Sequence, residues 1–408
     1  MSVYIGIDWS VKKHDVAIIN EAGSIIAQLT IPHQAHGFEQ LNKTREQVGV
    51  TAAACLVGLE TAHNLLIDYL WGQGYEQVYV IPPSVVKSSR GRFGNSQVRT
   101  DKRDARLLAD LLRTDLARLQ PWLPDSRLTR QIRARASLVQ HMTKRVRRVT
   151  ERLRAVLLRY YPTALELFNG LQSQITVAFI EQYNTPAAAH ALTYDEFVAF
   201  TRPHRYPKRW LPKQYARLQE RQPEANPDTV AVYQEEAQLL AGDLLRLMQT
   251  HRRLKRELTA LFQEHPDQHI FASLPGAGDL LAPSLLAKFG DDRARFSTPG
   301  SVQALAGTCP VTDQSGQKRI VKFRRACDIE FRQIAQQWAR CSLRRSAWAY
   351  AYWREVRQRC HGDNDAYRRL ANRWLAICWK LWQKGEAYDE AYHLKQRRLR
   401  RKPKIKHN

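Results

Sequence analysis

Val3-Tyr4-Ile5-Gly6-Ile7-Asp8 is a short run of strand-forming residues that ends in a carboxylate. Val16-Ala17-Ile18-Ile19 follows, then a turn at Asn20-Glu21-Ala22-Gly23, then Ser24-Ile25-Ile26-Ala27-Gln28-Leu29. These read as three strands joined by short connections, with Gly23 suited to the hairpin turn. A helical stretch over about Gly37 to Gln47 comes next, and Ala53-Ala54-Cys55-Leu56-Val57-Gly58-Leu59-Glu60 reads as a buried strand, apolar until Glu60. A helix around Asn64 to Trp71 and a strand at Gln77-Val78-Tyr79-Val80-Ile81 complete the pattern, with Pro82-Pro83 ending that strand. The order is three strands, helix, strand, helix, strand, helix: an α/β domain. If the first and fourth strands pair in parallel, Asp8 and Glu60 stand side by side at one sheet edge, where α/β sheets place their ligands.

A second acidic feature lies in Arg99-Thr100-Asp101-Lys102-Arg103-Asp104-Ala105. If Asp101 opens the helix suggested by the following leucines, Asp101 and Asp104 share a face while Leu107, Leu108, Leu111 and Leu112 are buried. Such a pair can cap a helix N-terminus or hold a divalent metal. Four carboxylates converging at about 4 Å could hold two Mg²⁺ ions, which clamp both oxygens of a phosphodiester displacement. Without metal they would repel one another strongly.

The chain has 408 residues, with 64 Lys+Arg against 39 Asp+Glu, a formal charge of +25. That excess points to a polyanionic partner, nucleic acid first and an anionic membrane second. No apolar run approaches the roughly 20 residues that span a bilayer, and the start lacks the basic region of a signal peptide. Cys55, Cys309, Cys327, Cys341, Cys360 and Cys378 form no Cys-x-x-Cys pair and read as reduced thiols.

From Ser126 to Tyr161, and again from Val230 to Leu261, apolar residues recur at steps of three and four, as in a coiled coil. The two helices could pair within one chain or with a second protomer. The first carries an arginine-rich face, including Arg145, Arg148 and Arg152, that suits a phosphate backbone. Between them, residues 166–227 contain several prolines, and Tyr206, Trp210 and Tyr215 either stack on bases or form a small helical core. Leu274-Pro275-Gly276-Ala277-Gly278 fits a helix-hairpin-helix turn, whose glycines let backbone N–H groups approach phosphate. Lys318, Arg319, Lys322, Arg324 and Arg325 suit a DNA backbone, the tryptophans from Trp338 to Trp382 fit a core, and Lys395–Lys406 reads as a basic, disordered tail.

Gly6-Ile7-Asp8, Gly58-Leu59-Glu60-Thr61 and Thr100-Asp101-Lys102-Arg103-Asp104-Ala105 together resemble the N-terminal "DEDD" domain of the insertion-sequence 110 family of transposases, with an RNase H-like fold akin to RuvC-type nucleases. Gly290-Asp291, Arg295-Phe296, the segment Ala306-Gly307-Thr308-Cys309-Pro310 and Ser315-Gly316 resemble the same family's C-terminal domain, although Gln314 stands where a second serine is common. The resemblance implies that Asp8, Glu60, Asp101 and Asp104 bind Mg²⁺ or Mn²⁺ and that Ser315 is the nucleophile. It further implies RNA-guided recombination of donor and target double-stranded DNA, with a structured guide RNA. From the separate placement of acids and serine we expect a homodimer assembling into a tetramer, in the bacterial cytoplasm and at the nucleoid. The nucleic-acid-binding set expected is Arg99, Lys102, Arg103, Arg145, Arg148, Arg152, Gly276, Gly278, Lys318, Arg319, Lys322 and Arg324.

The expected domains are a RuvC-like domain at 1–122, basic coiled-coil helices at 123–265, a mainly α C-terminal domain at 266–385 and a tail at 386–408. Two alternatives stand beside this reading. One is a two-metal nuclease for branched DNA, with Ser315 structural; the other is a nucleic-acid-binding protein without activity.

Overall fold

The computed structural model describes residues 2–60, 65–93, 100–119, 121–316 and 318–401. They divide into two compact units, Met1–Pro124 and Asp125–Asn408.

The first unit is a five-stranded mixed sheet with helices. Its strands are β1 (Val3–Trp9), β2 (Lys13–Ile19), β3 (Ile25–Pro32), β4 (Cys55–Leu59) and β5 (Gln77–Val80), in the order β3-β2-β1-β4-β5. β1, β2 and β3 pair antiparallel, while β1, β4 and β5 run parallel. Helices α1 (Ala35–Gln47), α2 (Leu65–Gly72), α3 (Pro83–Ser89) and α4 (Asp101–Asp115) complete the unit. The central strands are nearly continuous apolar runs because both faces are covered. Ile5, Ile7, Val57 and Leu59 have no exposed surface and pack with Phe38, Leu66 and Leu70.

Helix α4 covers the other face through Leu107, Leu108, Leu111 and Leu112, all buried as their spacing predicts. Two glycines make its approach possible. Gly6 and Gly58 are register partners on β1 and β4. A Cβ on Gly6 would stand 1.9 Å from the Ala105 carbonyl oxygen and 2.5 Å from the Ala109 nitrogen, and one on Gly58 would stand 3.1 Å from a Leu112 methyl. The helix backbone therefore rests directly on the sheet. Thr100, not an aspartate, caps it: its hydroxyl accepts from the Arg103 N–H at 3.3 Å.

The second unit is almost wholly helical. It contains α5 (Arg127–Tyr160), α6 (Gln174–Gln182), α7 (Pro186–His190), α8 (Tyr194–Thr201), α9 (Leu211–Leu218) and α10 (Pro227–Gln263). There follow α11 (Gln268–Ala272), α12 (Gly278–Phe289), α13 (Pro299–Leu305), the hairpin β6 (Val311–Ser315) and β7 (Lys318–Lys322), α14 (Ile329–Ser342), α15 (Ala347–Arg357), α16 (Asp363–Lys384) and α17 (Glu390–Arg401). The long helices α5 and α10 pair antiparallel with each other inside one chain. Arg135 meets Glu257, Thr143 meets His251 and Arg152 meets Glu236, so one index rises as the other falls.

Each end of that pair joins a different core. Ile132, Val139, Leu254, Leu258 and Phe262 pack with Phe271, Phe289 and the fully buried Trp338, Trp374 and Trp382. Leu153, Leu157, Ala241 and Leu244 pack instead with Phe168, Phe179 and Phe197. Tyr206 and Tyr215 belong to this second core, as the helical-core reading expects. Tyr206 lies edge-on to Phe168 at 5.1 Å, and the Tyr215 hydroxyl donates to the Leu192 carbonyl at 2.9 Å.

Gly290-Asp291 has a structural task. Asp291 accepts hydrogen bonds from the Ser126 N–H at 2.5 Å and the Thr129 hydroxyl at 2.6 Å, tying the start of α5 to the end of α12. Burial pushes its carboxyl up, but these bonds and one from His265 outweigh burial and hold it below the usual range.

The expected disordered tail is corrected as far as Arg401, because α17 forms there. Glu390 accepts from the Ser346 hydroxyl at 2.9 Å and the Tyr388 hydroxyl at 2.6 Å, while His393 lies 4.8 Å from Trp348. Those anchors precede the charged run and fix its first turn. The remainder, 402–408, lies outside the described residues. All six cysteines are free.

Candidate active site and nucleic-acid surfaces

Asp8 follows Ile7, which is paired with Leu59, and Glu60 follows Leu59. The parallel register thus carries both carboxylates off the same edge of adjacent strands. Across the antiparallel pair, Asp8 faces Asp15 directly. Because α4 begins with Asp101 and its Ala105 carbonyl lies over Gly6, Asp101 and Asp104 are delivered to the same region.

The electrostatics register this convergence. The Asp8 carboxyl is raised from 3.8 to about 7, first by burial, then by the charges of Asp104, Glu60, Asp101 and Asp15 in that order. Each neighbouring carboxylate disfavours ionisation of the next. A buried acid raised this far by like charges is the mark of a functional cluster more often than of a structural one.

Two members of this neighbourhood escape sequence reasoning. Asp15 is buried and accepts from the Thr30 hydroxyl at 2.6 Å. Its signal was the register of the β1–β2 hairpin. Arg90 holds Asp104 in a fork, Nε to Oδ1 at 3.2 Å and Nη2 to Oδ2 at 3.0 Å. Nothing in the local sequence marks Arg90 among so many arginines.

An all-carboxylate donor set suits a hard divalent cation, and a cation would relieve the repulsion that Asp8 records. Among the described residues, no three His, Cys, Asp or Glu side chains converge closely enough to hold a metal as they stand. The Arg90 fork on Asp104 supplies the counter-charge in this arrangement.

Ser315 is the last residue of β6, pairs with Lys318 and is exposed. Gly316, at φ +57°, makes the turn. Among the described residues the Ser315 hydroxyl has no hydrogen-bond partner. All ten residues of β6 and β7 are exposed, and Lys322 pairs with Asp313 at 2.7 Å.

The expected nucleic-acid-binding residues fall in several places. Lys102, Arg103, Arg145, Arg148, Lys318 and Arg319 are exposed. Arg152 is exposed too, but Glu236 on α10 accepts from its Nε at 2.6 Å. Arg324, two residues past the end of β7, is half-buried, while Arg99 lies outside the described residues. Gly276 and Gly278 form the turn between α11 and α12, both with positive φ. Among the described residues no helix is long and apolar enough to cross a membrane.

Residues 5–162 match the family model of the IS110-type DEDD transposase domain, and residues 268–354 match that of the IS116/IS110/IS902 transposase family. The chain is 31% identical over 409 residues to the mini-circle transposase assigned to IS117 in Streptomyces coelicolor, covering 96% of each chain. It is 25% identical over 418 residues to a 42 kDa protein of insertion element IS900 from Mycobacterium paratuberculosis, covering 95% of this chain and 98% of the other. A protein of insertion element IS110 from Streptomyces coelicolor is 24% identical over 302 residues, 72% of this chain and 73% of its own. The glycine-placed acids and the serine hairpin lie within the two matched segments, and the chain belongs to the IS116/IS110/IS902 family of transposases.

Proposed function

We propose that this transposase cuts and rejoins DNA strands through Ser315, assisted by the carboxylates around Asp8. The observation that carries the reading is the convergence of Asp104, Glu60 and Asp101 on Asp8, whose carboxyl burial first and then these like charges raise to about 7. In this reading the first unit is RuvC-like, and Asp8, Glu60, Asp101 and Asp104 hold Mg²⁺ or Mn²⁺. The cation would polarise the scissile phosphate and lower the barrier to deprotonating the attacking hydroxyl.

The chain's own groups do the rest. The Ser315 oxygen forms a bond to phosphorus, the bond from phosphorus to one strand oxygen breaks, and that oxygen leaves as a hydroxyl. A phosphoserine ester keeps the bond energy for rejoining. The hairpin holds no histidine, and its one carboxylate, Asp313, is paired with Lys322, so in this reading a group brought by assembly takes the Ser315 proton. The exposed hairpin is consistent with a serine that completes its site only on substrate. Lys318 and Arg319 flank it and suit the phosphate backbone.

A structured guide RNA pairing with donor and target DNA would carry sequence choice, leaving the protein to bind backbone and shape. A homodimer assembling into a tetramer would bring several copies of acids and serine to two DNA duplexes. The exposed arginines of α5, Arg145 and Arg148 among them, suit the polyanion such an assembly must hold.

The test is denaturing electrophoresis after incubating the protein with its element-end DNA, flanking RNA and Mg²⁺. The expected result is a protein–DNA adduct that disappears in Ser315→Ala and in Asp8→Asn. Cleaved DNA without an adduct, unchanged in Ser315→Ala, would replace the serine mechanism with a two-metal nuclease acting on branched DNA.

A further inference from the structure

The turn between α11 and α12 and the end of α14 enclose an open cavity of about 860 Å³. Its wall includes Pro275, Gly276, Cys341 and three arginines, Arg340, Arg344 and Arg345, and no carboxylate. All three arginines are exposed. Among the described residues none of them has an ion pair, side-chain hydrogen bond or aromatic partner.

Exposed arginines without such partners also occur on α5, Arg145 and Arg148 among them, but these three line one cavity. Arginines with a structural task elsewhere in the unit are paired: Arg293 with Asp267, Arg133 with Asp125, Arg368 with Asp365. The helix C-terminus favours cations, but its partial charge does not offset three guanidinium groups within six residues. Arg344 and Arg345 follow α14 in the turn before α15, and no acidic residue separates them from Arg340.

The cavity wall is built to close tolerance. Gly276 has φ +77°, and a Cβ on it would lie 2.6 Å from the Cys341 carbonyl carbon and oxygen and 2.7 Å from the Ser342 nitrogen. The Trp338 indole N–H donates to the Pro275 carbonyl at 3.1 Å. The turn is therefore pinned against α14, which carries Arg340 and leads directly into Arg344 and Arg345. On its outer side Gly278 has nothing within 4 Å of where a Cβ would be, so a ligand can reach its backbone.

We propose that this cavity is a binding seat for a nucleic-acid phosphodiester backbone, gripped by Arg340, Arg344 and Arg345 beside the Pro275–Gly278 turn. Guanidinium groups match phosphate oxygens in a two-pronged geometry, and an uncompensated cluster facing an open cavity awaits an anion. DNA and RNA share this backbone. The inference rests on the reading of the chain as a nucleic-acid enzyme and adds a site separate from the serine hairpin and the acids.

The experiment measures fluorescence anisotropy of labelled 20-base-pair DNA and RNA duplexes of arbitrary sequence against salt, without divalent metal. Three full-length proteins are compared: the natural protein, Arg340→Ala/Arg344→Ala/Arg345→Ala, and a control of equal charge loss, Arg217→Ala/Arg246→Ala/Arg253→Ala. The control arginines are already paired with Glu166, Asp243 and Glu257. The cavity variant is expected to lose about tenfold or more in affinity at 0.15 M salt. The slope of log K against log salt should fall by about 2 to 3, the value for three phosphate contacts. The duplex with the larger loss identifies the natural occupant. Equal losses in cavity variant and control, or no loss with either duplex, would overturn the site while leaving the enzyme reading intact. A natural protein that binds neither duplex would overturn both.

Discussion

Asp8 lies next to the end of the central strand of a five-stranded sheet, over which a helix is pressed onto two paired glycines, whereas Ser315 stands at the tip of a hairpin with every strand residue exposed. The two sites are held by opposite means. The acids are positioned by strand register and by backbone contact, so their convergence is a property of the folded chain. The serine is presented on two strands that pack on little, and an isolated two-stranded ribbon is marginal in water. Its final geometry is therefore set by what the hairpin meets.

The contrast is broken most severely by a methyl group. Gly6→Ala places a Cβ 1.9 Å from the Ala105 oxygen, which neither backbone can avoid. We expect a loss above about 3 kcal/mol, or no folded first unit at all, in urea unfolding. Gly316→Ala meets no atom within 4 Å and carries only the cost of its positive φ, about 1 kcal/mol. Similar losses in both would mean that helix contact does not set the acid cluster.

Next comes pH. The folded pKa of Asp8 is about 7 against 3.8 for a free aspartate, so the folded protein holds a proton that the unfolded chain releases between those values. Stability from this group is present below about pH 4 and is lost as pH rises through about 7. Asp8→Asn should flatten that slope in metal-free protein and raise the melting temperature at pH 8. A variant with the natural pH dependence would show that the repulsion is relieved elsewhere.

A smaller effect is expected at Arg90. Arg90→Ala removes the fork from a buried carboxylate, and metal-free stability should fall by about 1–3 kcal/mol. Added Mn²⁺ should then raise the melting temperature more than in the natural protein, because Asp104 loses the Arg90 fork. An unchanged response to Mn²⁺ would separate Arg90 from the metal question.

The smallest stability effect belongs to Ser315→Ala. Its hydroxyl is exposed and unbonded, so unfolding should shift by less than about 0.5 kcal/mol while the protein–DNA adduct is lost. A large destabilisation would make Ser315 a structural residue of the turn.

Much of this was legible from residue order. The strand and helix sequence of the first unit, the buried leucines of α4 and the juxtaposition of Asp8 with Glu60 follow from apolar runs and one assumption about pairing. The glycines were visible as well, but only as motif letters. Their task, admitting a helix backbone onto the sheet, depends on a contact a hundred residues away. Arg90 and Asp15 could not be singled out, because one arginine among many and one hairpin aspartate carry no local mark. In the second unit, heptad-like spacing predicted two long helices without saying whether they pair within a chain or between chains. Periodicity specifies which face is apolar, not which surface covers it.

The sequence by itself determined the basic character of the protein and the α/β pattern of its first unit, and it marked the carboxylates and the serine as candidates, since charge, period and residue type are local properties. Only the tertiary structure decided that α5 and α10 pair with each other, that Thr100 caps α4, that Arg90 holds Asp104 and that three unpaired arginines share one cavity. Those outcomes depend on which distant surfaces meet, and a linear pattern contains no information about which of several compatible surfaces will win.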